Sequence, residues 1–118
     1  GIDANNNGIR DDVELAIFKK YPSSPKIRAA ELQYAMELQM ELTHVFNSET
    51  WRAVTQEEGR GYGCIYKISG IKNINSFSGD VEDLVFNTKL RKDRKSKSDS
   101  YTMSFSTLSG EDCDVAIK

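Results

Sequence analysis

The stretch SPKIRAAELQYAMELQMELTHVFNSETW, residues 24–51, constrains the fold more than any other part of the chain. Ile27, Ala30, Tyr34, Leu38, Leu42, Val45 and Phe46 recur at three- and four-residue spacings, with Met40 offering a second register. Ala, Glu, Gln, Leu and Met fill the positions between, so propensity and periodicity both specify a long helix. No segment alternates apolar and polar residues over a strand's length, and no internal repeat is visible. The expected fold is therefore all-α, a small bundle of about four helices. At 118 residues the chain is long enough for one modest core, so residues 1–118 are expected to form a single domain.

Three further segments supply the remaining helices. DDVELAIFKKY places Val13, Ile17 and Tyr21 on one face, with Asp11 and Asp12 in its first turn and Lys19 and Lys20 in its last. Both charge placements suit the helix dipole. YPSSP ends that helix, and Ser23 or Ser24 with Pro25 in the next first turn predicts a helical hairpin. A segment beginning near Ser48 carries Trp51, Val54, Tyr62 and Ile65 in register, although Gly59, Gly61 and Gly63 weaken it. GIKNINSFSGD reads as a loop with Ser78 as a cap. After it Val81, Leu84, Val85 and Thr88 share a face, and Tyr101, Phe105 and Leu108 resume the spacing later. Either one helix runs from about Ser78 to Ser106, or it breaks at KSKSDS. Residues 107–118 read as a turn and a C-terminal tail.

The chemistry is concentrated at the start, in DANNNGIRDDVE, residues 3–14. Calcium takes six to eight oxygen ligands, and a twelve-residue loop provides them from positions one, three, five, seven, nine and twelve around a glycine at six. Those positions are Asp3, Asn5, Asn7, the Ile9 carbonyl, Asp11 and Glu14, with Gly8 in the glycine place. The run thus reads as a Ca2+ loop over residues 1–14, closing into the first helix. Two neutral asparagines among the ligands point to weak, extracellular-range affinity. The alternative is a polar segment whose aspartates only stabilise a helix start.

DANNNGIRDDVE resembles EF-hand-type calcium loops, and more closely the dockerin-like and thrombospondin type 3-like variant of exported bacterial proteins. The resemblance covers Asp3 to about Ile17. It departs from a full EF-hand in having no entering helix and in carrying Arg10 where an apolar residue usually bridges paired loops. NGIRDDVE, FNTKLR and the late LSGEDC are in addition similar to uncharacterised envelope proteins or lipoproteins of Gram-negative bacteria. That similarity implies export and a structural disulfide, and no particular chemistry.

Cys64 and Cys113 form no CxxC pair and lie far from the lone His44, which leaves a zinc site without ligands. A Cys64–Cys113 disulfide is expected because the tail has few apolar residues of its own to dock with; two free thiols are the alternative. A disulfide and a weak calcium loop both suit an oxidising, calcium-rich location: periplasm, cell envelope or exterior. No run of some 18 apolar residues occurs and the first residues are polar, so neither a transmembrane span nor a signal peptide is expected, and the chain suits the mature part of an exported precursor.

Other motifs carry less. KLRKDRKSK, residues 89–97, holds six basic residues and one acid in a chain whose net charge is −2. It is either a solvated helix face or a polyanion-binding one, for nucleic acid or anionic lipid. No aromatic residues interleave it as a single-strand platform requires, so nucleic acid is not the expected partner. GRGYG lacks the GK[ST] ending of a phosphate loop. His44 has neither a nucleophile nor an orienting carboxylate beside it, and no catalytic constellation is found. The sequence therefore predicts no enzyme. It predicts a calcium-binding structural or protein-interaction module, with polyanion binding through residues 89–97 as the alternative.

Overall fold

The computed structural model describes residues 9–101 and Cys113. Within them five helices follow one another: α1 (Asp11–Lys20), α2 (Pro25–Thr43), α3 (Ser48–Ser69), α4 (Ile74–Val85) and α5 (Lys89–Asp99). The fold is all-α, with one helix more than the periodicity suggests.

Local chemistry accounts for most boundaries. Asp11, Asp12 and Glu14 occupy the first turn of α1 and Lys19 and Lys20 its last, while Val13 and Ile17 face inward. Ser24 accepts from the Ile27 N–H and Pro25 stands in the first turn of α2, so the hairpin turns where YPSSP places it. Asn47 and Thr50 form a reciprocal capping box at the start of α3. Gly70, at φ 84°, ends that helix in the left-handed region that favours glycine.

The second half departs from expectation in two places. Ser78 is not a cap: it lies inside α4, which begins at Ile74, and is buried. The chain breaks at residues 86–88, where neither reading placed a break, and α5 then ends at Asp99, within KSKSDS as the second reading had it. Phe86 is drawn into the core, and the Thr88 hydroxyl accepts from the Arg91 N–H at 3.1 Å, giving the backbone a new start. Of the tail, only Cys113 is among the described residues.

α2 is the axis, in contact with each of the other four helices. Val13, Ile17, Ala30, Tyr34, Leu38, Cys64, Ile65, Val81 and Val85 form the main core around it. A second cluster of Val45, Trp51 and Val54 closes one end with Met40 and Tyr101. Phe46 remains exposed. A helix covered on so many sides cannot keep its polar residues in water. Glu31, Gln33, Glu37 and Glu41 are all buried as a consequence.

Cys64 on α3 and Cys113 are joined in a disulfide, their Cα atoms 4.7 Å apart across a separation of 49 residues. In the chain-entropy view a closed loop of that size stabilises the folded state by roughly 4 kcal/mol.

Candidate functional site

Of the six loop positions predicted to hold calcium, Asp3, Asn5 and Asn7 lie outside the described residues. Ile9, Asp11 and Glu14 lie within them. The Ile9 side chain is buried in the main core. Asp11 and Glu14, three residues apart at the start of α1, stand on one face and line the same shallow hollow with Leu15 and Phe18. Among the described residues no group of three or more His, Cys, Asp or Glu side chains is arranged to hold a metal ion. The three described positions are the last three of the predicted set.

Between Ile9 and Asp11, Arg10 does what the sequence pattern did not suggest. It is only 1 % exposed. Its backbone N–H donates to Gln39 Oε1 at 3.2 Å. Nη1 donates to the Val85 carbonyl at 3.0 Å and Nη2 to the Leu84 carbonyl at 2.9 Å, while Nε reaches Asp12 Oδ1 at 3.1 Å. The last carbonyls of a helix have no partner within it and carry partial negative charge, so a guanidinium placed there satisfies both needs. Burial works against the Asp12 charge, but the Arg10 hydrogen bond and charge outweigh it and hold that carboxyl below its usual range. The exit of the loop is thus clamped to the end of α4.

The buried glutamates form the second concentration of polar groups. Neither carboxyl oxygen of Glu31 has a hydrogen-bond partner of good geometry, since the nearby Tyr21 hydroxyl is directed to Asp80. Burial, reinforced by the Asp80 carboxylate and opposed by Lys20, pushes its pKa up to about 8. Nearby, Tyr21 Oη donates to Asp80 Oδ2 at 2.9 Å and Lys20 Nζ stands 2.8 Å from the same oxygen. Glu37 is raised to about 8, again first by burial, although Gln33 and the Gly61 N–H offset part of that. Glu41 and Glu58, facing one another from α2 and α3, are both raised by burial, and each carboxyl bears on the other's proton. Ser98 on α5 donates to Glu41 Oε1 at 3.0 Å.

The glycine run GRGYG has a packing explanation. The Gly61 N–H lies 3.2 Å from Glu37 Oε2, and a Cβ at that position would stand 2.8 Å from both Glu37 oxygens. Glycine there lets α3 approach the buried carboxyl of α2. His44, at the exposed end of α2, pairs through Nδ1 with the hydroxyl of Thr43 at 2.6 Å.

The basic residues of α5 are largely committed. Lys89 pairs with Asp93 at 3.2 Å and Lys95 with Asp99 at 2.8 Å. Arg94 donates from Nε to the Leu42 carbonyl and from Nη2 to the Val45 carbonyl, at 3.2 and 2.7 Å, tying α5 to the end of α2. Arg91 Nη1 reaches Asn87 Oδ1 at 2.6 Å. Such engagement leaves a broken rather than a continuous positive surface.

These observations define an all-α, disulfide-linked helical fold in which a buried arginine just ahead of α1 ties that helix to the end of α4. Comparison with protein-family models, with curated proteins and with solved structures finds no match. No helix among the described residues is long and apolar enough to cross a membrane.

Proposed function

We propose that the domain is a calcium-binding structural module of an exported or cell-envelope protein. Asp3, Asn5, Asn7, Asp11 and Glu14 would supply side-chain oxygens and Ile9 its carbonyl. What carries this reading is the junction at Arg10, where the loop's exit is fixed to α4 and Asp11 and Glu14 are presented in one hollow. Ligand positions nine and twelve of such a loop must be held in register with each other, and a helix start fixed from behind does so. The disulfide supports the assignment to an oxidising compartment.

Calcium then acts through stability. It ties the segment before Ile9 to the head of α1, as the disulfide ties Cys113 to α3. Isothermal titration calorimetry on the disulfide-intact protein, with thermal unfolding in chelator and in calcium, tests this reading. Calcium at about 100 times its dissociation constant should add roughly 2.7 kcal/mol. Glu14→Gln should weaken binding more than Asn7→Ser, because the twelfth position supplies two oxygens. A melting temperature that is the same in chelator and in calcium on the 10 mM scale would end the proposal.

A further inference from the structure

Between the C-terminal half of α2 and α5 runs a groove of about 330 Å³ that the calcium reading does not use. Leu42 and Leu90 supply its apolar lining, and Arg10, Gln39, Thr43, Arg91 and Arg94 its polar lining. Leu90 is 79 % exposed, a large aliphatic side chain at the head of an otherwise polar helix. Among the described residues no Asp or Glu lines the groove. Gln39 accepts the Arg10 backbone N–H on its carbonyl oxygen, which fixes the amide, and its nitrogen adds two donors. Arg94 is held in place by the Leu42 and Val45 carbonyls, and Arg91 by Asn87. The positive groups are therefore positioned before any ligand arrives, which lowers the cost of ordering them on binding.

We propose that this groove docks an acidic segment of a partner protein, with a carboxylate between Arg91 and Arg94 and a neighbouring apolar side chain against Leu42 and Leu90. Guanidinium groups present planar donor pairs that match a carboxylate. The volume suits one or two side chains. A row of phosphates or a lipid surface is a poorer match, because carboxylates interrupt the positive surface on both flanks. Asp12, its side chain 57 % exposed, sits beside Arg10, and Asp93, 63 % exposed, sits beside Lys89. A single carboxylate fits between those two, whereas an extended polyanion would meet them.

Fluorescence anisotropy with a fluorescein-labelled, amidated hexapeptide of alternating leucine and glutamate tests the proposal. The controls are its leucine–glutamine counterpart and phosphatidylglycerol vesicles. The acidic peptide should bind at least about tenfold more tightly than the glutamine one, and Arg91→Ala should remove about tenfold of that affinity. Leu90→Ser should weaken both peptides. Leu90 is exposed and Arg91 makes only a surface contact, so both variants should keep the parent's melting temperature. Affinity should be the same in chelator and in calcium, since Ile9, Asp11 and Glu14 are not among the groove's lining residues and the groove's arginines are held by α2 and α4 carbonyls and by Asn87; failure of the calcium reading would leave this result standing. Equal binding of the two peptides, indifference to Arg91→Ala, dependence on calcium, or preference for the vesicles would each overturn the proposal.

Discussion

Glu31 offers a direct test of how the bundle treats its buried acids. The side chain is 1 % exposed, and burial outweighs what the Tyr21 hydroxyl and Lys20 give its carboxylate, so the folded protein favours the neutral, protonated form. Its pKa is about 8 in the fold against an ordinary 4.5, and the unfolded chain takes the ordinary value. A raised carboxyl pKa means that the folded state holds the proton longer. Its contribution to stability is complete below pH 4.5 and is lost as pH rises through 8. Between pH 5 and pH 8 this one group removes about 3 kcal/mol, taking 1.36 kcal/mol per unit over most of the interval. Glu31→Gln keeps the shape and removes the ionisation. Urea unfolding followed by circular dichroism at pH 5, 6.5 and 8, all in chelator and with the disulfide intact, should show the variant near the parent at pH 5. At pH 8 the variant should be the more stable by roughly that margin. The comparison cancels the pH dependence contributed by Glu37, Glu41 and Glu58, because both proteins share it. A stability difference that stays constant from pH 5 to pH 8 would refute the reasoning and mean that Glu31 ionises alike in both states.

Other substitutions probe the remaining joints. Gly61→Ala should cost no more than about 1 kcal/mol in urea unfolding, because the added methyl meets both Glu37 oxygens at 2.8 Å and displaces that carboxyl from the residue 61 N–H, while alanine's better helix propensity offsets part of the loss; Glu37→Gln, which removes no atom, should not rescue it. Arg10→Met keeps a long buried side chain but leaves the Leu84 and Val85 carbonyls without their donor, and should destabilise by about 3 kcal/mol, measured in the same way. Cys64→Ala with Cys113→Ala should lower stability by roughly 4 kcal/mol relative to the oxidised parent, and match the reduced parent to within about 1 kcal/mol.

The helices were legible where local chemistry and burial agree. Asp11, Asp12, Lys19 and Lys20 mark both ends of α1, and Ser24 with Pro25 marks the start of α2. The regular Ala, Glu, Leu and Met filling of α2 left no other reading. The end of α5 within KSKSDS was legible, but the break between α4 and α5 was missed because Phe86 looks like any apolar helix residue until the core that takes it in is known. The buried glutamates were invisible for a related reason. Glutamate is a strong helix former, and only the presence of four neighbours around α2 turns Glu31, Glu37 and Glu41 inward. The candidate loop was legible as a pattern of oxygen-bearing residues. The role of Arg10 was not, since its partners Leu84 and Val85 lie 74 and 75 residues further along. A sequence window around DANNNGIRDDVE contains no trace of them. The α2–α5 groove was equally hidden, because it joins residues from opposite ends of the chain.

The bond between Cys64 and Cys113 also decides how the domain would respond to tension. A pull on the chain beyond Cys113 is delivered straight to the middle of α3, and the intervening segment, which contains α4 and α5, is bypassed. Those 49 residues would extend to roughly 170 Å as free chain, and the covalent closure withholds that length from any stretched state. Only α1, α2 and the first part of α3 lie on the mechanical path. Under such load α4 and α5 would stay unstretched until the disulfide is reduced, whereas the α2–α5 groove, half of whose lining comes from Arg10 and α2, would open as α2 gives way.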